Sequence, residues 1–381
     1  MDEQFDAVVI GAGIVGLAVA RTLALRGQSV LVLERHARPV EETSSRNSGV
    51  IHSGIYYPTS SLKARLCVEG RQRLYDFVEQ RGVAHQRCGK LIVAQQGQQE
   101  ALQALHRQAA QNGVHDMVPL SAAEVSECEP AVRSIAGLWC PSTGIVDVHE
   151  LAQAFIADIE SAGASIAYRT TVDSARFDAS GARLACRSIE DSLELQSVLV
   201  VNCAGLAAVE LLQSFDGYPA QMQRKSWFAK GNYFSLTGAR PFRHLVYPMP
   251  NEAGLGIHAT LDLDGATRFG PNVEWVEQLD YGVDERHVTE FYESIRNYWP
   301  DLQQGALQPG YAGIRPKLVG PGSKAADFVI EGPAQHGCKG LVNLLGIESP
   351  GLTSCLAIGE YVADLVIQSG APTSETSPHF P

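Results

Sequence analysis

Residues 5 to 34, FDAVVIGAGIVGLAVARTLALRGQSVLVLE, leave this chain few folds to choose from. A β-branched run, a glycine turn, a stretch with apolar residues at helical spacing and a second apolar run follow one another, and that order spells one βαβ unit. Gly11, Gly13 and Gly16 fit the pattern G-x-G-x-x-G. The first glycine permits a tight turn, the second lets backbone, with Ile14 beside it, approach a pyrophosphate, and the third lets the helix lie close on the strand. The helix N-terminus then offers free N–H groups and a partial positive charge to phosphate. Glu34, followed by Arg35, closes the second strand where a carboxylate accepts from ribose hydroxyls and repels a ribose phosphate, which argues against NADP. The unit predicts a dinucleotide ligand.

The rest of the chain separates NAD from FAD. A nicotinamide dehydrogenase would continue through further βα units, whereas this chain breaks into a loop of small residues, SSRNSGVIHSGIYY at 44–57. Two distant segments add strand ends with glycine turns: LQSVLVVNCAG at 195–205, ending in Ala204 and Gly205, and GLVNLLGIESPGLTSCLAIGEYVADLVI at 340–367. The latter reads as a strand, a loop from Gly346 to Pro350, and a helix starting near Gly351 or Leu352, so a second helix N-terminus is aimed at an electron-rich group. An elongated cofactor explains three such segments, and FAD fits better than NAD.

Composition narrows the partners. The 381 residues carry a formal net charge of −12, which speaks against nucleic acid. Eight cysteines form no C-x-x-C pair, so thiols in a reducing compartment are expected, and disulfide-reductase chemistry is disfavoured. The start MDEQFDAVVI is acidic and unlike a signal peptide, and no uncharged apolar run approaches the ~20 residues of a membrane span. These features predict a cytoplasmic protein, soluble or peripheral at the inner face of the membrane.

Three long strings carry a family resemblance: SSRNSGVIHSGIYYPTSSLKARLCVEG at 44–70, GLGIHATLDLDGATRFGPNVEW at 254–275 and GIESPGLTSCLAIGEYV at 346–362. They resemble the D-amino-acid-oxidase-like FAD oxidoreductases and, within that class, the L-2-hydroxyglutarate dehydrogenases and oxidases. The resemblance implies an α/β fold, α+β overall. A Rossmann-like FAD-binding domain of the glutathione-reductase and p-hydroxybenzoate-hydroxylase type is expected over 1–85, 144–215 and 320–372. An antiparallel-sheet substrate domain is expected over 86–143 and 216–319, and a flexible tail over 373–381. Ser44, Ser45, Arg46, Asn47, Ser48 and Val50 would line phosphate, ribityl or ring atoms, and Gly49 would admit the ring at van der Waals distance. Val172 would offer its backbone to adenine, and Gly346, Pro350, Gly351, Leu352 and Thr353 would complete the cofactor site.

Catalysis then falls to histidine and arginine. Oxidation of a 2-hydroxy acid removes the O–H proton as C2–H leaves as hydride, and a neutral imidazole suits that proton. His52 is read as the base, with a noncovalent flavin contact and a covalent flavin link as alternatives. His258 is the competing base or a substrate donor, and equally an ordinary strand histidine. Arg315, in YAGIRPKL, resembles the arginine that grips the substrate α-carboxylate through two parallel hydrogen bonds. For a distal carboxylate the candidates are Tyr56, Tyr57, Lys63, Arg65, Lys230, Tyr247 and Arg268. The expected reaction is oxidation of L-2-hydroxyglutarate to 2-oxoglutarate, with the acceptor (oxygen, a quinone or an electron-transfer protein) left open. The alternatives are a glycine-oxidase-like amine oxidase, a glycerol-3-phosphate-dehydrogenase-like enzyme and a non-enzymatic flavin binder; no metal is expected.

Overall fold

A computed structural model describes residues 4–178, 181–189, 191–238, 240–250 and 256–368; the tail expected at 373–381 lies outside the described residues. The N-terminal pattern folds as β1 (Gln4–Ile10), α1 (Ile14–Leu25) and β2 (Val30–Leu33). β1 pairs in parallel with β2 on one side and with the strand Ser192–Asn202 on the other. The parallel layer extends to Leu341–Leu345 beyond that strand and to Ser165–Ala167 beyond β2. Helices and a second β-layer cover its two faces, so these strands read as unbroken apolar runs without alternation.

Ser192–Asn202 joins two kinds of pairing. Its first half runs antiparallel to Gly181–Arg187, which pairs in turn with Thr171–Asp178; its second half lies in register with β1 and Leu341–Leu345. The helices α1, Val148–Ser161, Gly351–Gln368 and α2 (Leu62–Arg81) share one core with the inward side chains of β1 and β2. The α2 start is set locally, because the Ser61 hydroxyl accepts from the Ala64 N–H, and its end by Gly82 at φ 66°.

A second nine-stranded sheet draws its strands from 90–140 and 227–317, so the chain returns to the first sheet between them. Its order is Glu274–Val276, Trp227–Leu236, Thr267–Phe269, Ala259–Leu261, Leu245–Pro248, Lys90–Ala94, Ala136–Cys140 and Val118–Ser121, with Leu307–Lys317 also along Trp227–Leu236. The pairings are antiparallel except Leu245–Pro248 with Lys90–Ala94. The Asp264-Gly265 turn joins Ala259–Leu261 to Thr267–Phe269 as a hairpin, as the sequence predicts. His258 lies just before the first of these strands rather than on it. A small sheet, β3 (Val50–Ile51) with Gly144–Val146 and His85–Gln86, anchors the loop that ends in His52. No helix among the described residues is long and apolar enough to cross a membrane.

Candidate active site

A cavity of about 2420 Å³ is lined by residues from both large sheets and from the loop 44–57. Pockets for drug-sized ligands span roughly 300–1,000 Å³. The space therefore accommodates an elongated cofactor together with a small substrate.

The first sheet contributes strand ends and a helix N-terminus. Gly11, Gly13, Ile14 and Gly16 line the cavity, and a Cβ on Gly16 would stand 2.0 Å from the Gly11 carbonyl oxygen, which is why only glycine lets α1 pack there. No side chain of the N-cap Gly13 satisfies the helix; the Ile14 N–H donates instead to Ser44 Oγ at 3.0 Å. Glu34 is buried with its carboxylate fixed, Oε2 accepting from the Ala12 N–H at 2.7 Å and Oε1 from the His36 N–H at 2.8 Å. Arg35 pairs with Glu42. Val172, at an irregularity in the pairing of Thr171–Asp178, lines the cavity beside Ala204, Gly205, Pro350, Gly351 and Leu352.

The loop 44–57 divides its labour differently from the expectation. Arg46 lines the cavity, stacks on Tyr281 at 4.3 Å, and has a buried Nε without a hydrogen-bond partner. Asn47 also lines it, but its amide spends its donors on the Thr43 and Ser44 carbonyls and its oxygen on the Gly49 N–H, so it shapes the loop. Ser48 meets the Tyr233 hydroxyl at 3.2 Å. Ser45, Gly49, Gly346 and Thr353 are not among the lining residues. Ser45 Oγ donates to the Glu42 carbonyl; Gly49 is required by φ 65° with the Val146 carbonyl 3.0 Å from its Cβ direction, not by admission of a ring. Thr353 Oγ1 accepts from the His52 N–H at 2.9 Å and donates to the Val50 carbonyl, tying the loop to the helix Gly351–Gln368.

These donors fit FAD. Two helix N-termini, an acidic side chain at the end of β2 and an unpartnered arginine nitrogen supply what a pyrophosphate, a ribose and an electron-rich ring require.

His52, Tyr56, Tyr57, Lys63, Tyr247, His258 and Arg315 all line the same cavity. His258 is 4% exposed, donates from Nδ1 to the Gly256 carbonyl at 3.0 Å when Nδ1 carries the proton, and stacks on Tyr247 at 3.9 Å. His52 is half-buried and opens onto the cavity, its Nε2 standing 3.3 Å from Ser349 Oγ. Burial, with the charge of Lys90 added, pushes both imidazoles down to about 3. Both rings are therefore neutral at physiological pH.

Arg315 commits Nε to the Ala229 carbonyl and Nη2 to the Lys230 and Asn272 carbonyls. A ligand carboxylate is left the N–H groups of Nη1, not the parallel fork the sequence suggests. Lys230 does not line the cavity. On Trp227–Leu236 the side of Gly231 and Tyr233 faces it, and the period of two turns Lys230 away, to Asp280 at 3.2 Å. Arg268 pairs with Asp262 and Arg65 lies over Tyr361; neither lines the cavity.

Lys63 lines the cavity but is paired with Glu348 at 3.0 Å, which also binds Lys317 at 2.7 Å. Burial alone would raise the Glu348 carboxyl, yet the two ammonium groups hold it below its ordinary value. Neither Glu348, Lys317 nor Tyr233 stands out in sequence, although the alternation of KGNYF points Tyr233 inward with Gly231.

The neutral His258 makes a stability prediction. Its folded value near 3 lies below the unfolded 6.5, so the unfolded chain binds more protons between those values. Stability is full above pH 6.5 and falls as pH drops towards 3, by up to about 1.4 kcal/mol per pH unit. Thermal unfolding from pH 7.5 to 4.5 should show a shallower loss of Tm in His258→Gln than in the parent; equal slopes would contradict the assignment.

A model of the FAD dependent oxidoreductase (DAO) family matches residues 6–365. The L-2-hydroxyglutarate dehydrogenase of Arabidopsis thaliana mitochondria is 43% identical over 95% of this chain and 83% of its own length. Among solved structures, the FAD-bound L-α-glycerophosphate oxidase of Mycoplasma pneumoniae superposes with a TM-score of 0.85 at 23% identity, over 96% of this chain and 95% of that one. The glycine oxidase of Geobacillus kaustophilus superposes with a TM-score of 0.79 at 21% identity, over 97% and 96%. These two share the fold.

Proposed function

Because the chain belongs to the FAD dependent oxidoreductase family and, within it, to the L-2-hydroxyglutarate dehydrogenases, we propose that it oxidises L-2-hydroxyglutarate to 2-oxoglutarate. The observation that carries this reading is the convergence of two neutral imidazoles and an arginine without a carboxylate partner on one cavity with the dinucleotide fingerprint. FAD held by these residues would supply the two-electron acceptor for the hydride that leaves C2.

The residues of the chain supply binding and proton transfer. Arg315 Nη1 binds the α-carboxylate, and the carbonyls on Nε and Nη2 hold the guanidinium plane in place. His52 accepts the hydroxyl proton at Nε2. It is preferred to His258 because it opens onto the cavity, whereas His258 is held against Tyr247. The Ser349 hydroxyl, 3.3 Å from His52 Nε2, has an oxygen able to accept from the imidazolium. A depressed imidazole is a weak base in the resting site, and two arriving carboxylates offset the burial that depresses it. The amine-oxidase alternative loses ground because glycine oxidase shares only the fold, at 21% identity. A cytoplasmic setting is part of the same proposal, supported by eight free cysteines.

The test is anaerobic mixing of the purified holoenzyme with L- and D-2-hydroxyglutarate, lactate and glycine while flavin absorbance is followed. Only the L-dicarboxylate is expected to bleach the flavin rapidly. Equal or faster bleaching by glycine or lactate would reject the substrate assignment.

A further inference from the structure

Beyond Arg46 of the cofactor loop and the exposed Lys324, two cations beside the cavity have no carboxylate partner among the described residues, and a dicarboxylate brings two charges. One is Arg315. The other is Lys90, on the strand Lys90–Ala94: it is 0% exposed, and its Nζ has no hydrogen-bond partner. The ammonium lies over the rings of Tyr56 and Tyr247 at 4.7 and 4.9 Å. Those rings are stacked 6.5 Å apart, line the cavity, and carry hydroxyls that are also buried without partners. The distal-carboxylate candidates Lys63, Lys230 and Arg268 are each paired with an acid, Lys63 sharing Glu348 with Lys317.

We propose that Lys90 is the specificity-determining cation for the second carboxylate of the substrate, acting through the Tyr56–Tyr247 wall by charge rather than by contact. This rests on the dicarboxylate reading above. A buried ammonium without a counterion is costly, and a ligand anion arriving across a low-dielectric wall offsets that cost. The groups facing Lys90 are the thiols of Cys140 and Cys67, the two phenols, and the neutral His52 and His258; none is a carboxylate. Burial lowers the ammonium to about 8, so it is charged at neutral pH.

The experiment titrates the holoenzyme with glutarate and with butyrate, reading the perturbation of flavin absorbance, in the parent, Lys90→Met and Lys90→Arg. Glutarate is expected to bind about 10²-fold more tightly than butyrate in the parent, a preference that Lys90→Met reduces to a few-fold and Lys90→Arg largely restores. In turnover, Lys90→Met should raise KM for L-2-hydroxyglutarate by more than it changes kcat. If Lys90→Met does not fold, the parent alone decides: the preference should decline as pH rises from 7 to 9. A preference that survives in Lys90→Met or at pH 9, or a parent with none, overturns the proposal. Binding is read without turnover, so failure of L-2-hydroxyglutarate to bleach the flavin would remove the substrate assignment while leaving Lys90 to its own result.

Discussion

Arg315→Met is expected to lower kcat/KM for L-2-hydroxyglutarate by about 10³-fold, mostly through KM. The arginine sits on Leu307–Lys317, opposite Ala229 of Trp227–Leu236, and both strands belong to one antiparallel ladder. Three backbone carbonyls fix its guanidinium before any ligand arrives, so little side-chain freedom is lost on binding. Methionine removes the charge and the Nη1 donors while filling most of the volume. Lysine at this position should recover less than a tenth of the loss, because an ammonium cannot be held by the three carbonyls and still present the two N–H donors of Nη1. Steady-state kinetics of both variants decide the matter, and a change in kcat/KM below tenfold would place the α-carboxylate elsewhere.

His52→Ala is expected to slow anaerobic flavin reduction by about 10²-fold or more, with a smaller loss in His258→Ala. Stopped-flow absorbance at saturating substrate reads both rates directly. The reverse order would transfer the base role to His258, whose Nε2 keeps a lone pair once Nδ1 donates to Gly256. The pH dependence has a definite sign. A base with an ordinary value of 6.5 loses its competent form tenfold per unit below that pH, whereas these imidazoles, held down to about 3, stay neutral. The parent kcat/KM, which reports the free site, should therefore remain flat from pH 7 to 5, and an acid limb near 6.5 would contradict the burial argument.

Much of the cofactor side was legible because local rules produce it. A glycine at 16 is demanded by the 2.0 Å approach of the Gly11 carbonyl oxygen to its Cβ position, and the G-x-G-x-x-G spacing announces that approach in one dimension. Glu34 follows from strand length, and the helix starting at Gly351 from its glycine loop. The loop 44–57 was legible only as a whole. Which of its residues face the cavity depends on its anchors, with Asn47 spent on Thr43 and Ser44 and Thr353 reaching in from a helix 301 positions away from His52.

The substrate side was less legible for a physical reason. Whether a cation is available depends on its counterions, and those come from segments far apart in the chain. Lys63 meets Glu348 and Lys230 meets Asp280, so two lysines that look free in one dimension are ion-paired in three. Lys90, by contrast, passes unnoticed within the apolar run KLIVA, although folding leaves it buried and unpaired.

Short-range pattern alone, glycine spacing, strand runs and one acidic strand end, determined that this chain binds a dinucleotide through a βαβ unit, because each of those constraints acts within about thirty residues. Tertiary structure alone decided the electrostatics of the pocket. A charge is spent or kept according to which distant side chain lies beside it, and only the packing of two sheets against one loop sets that.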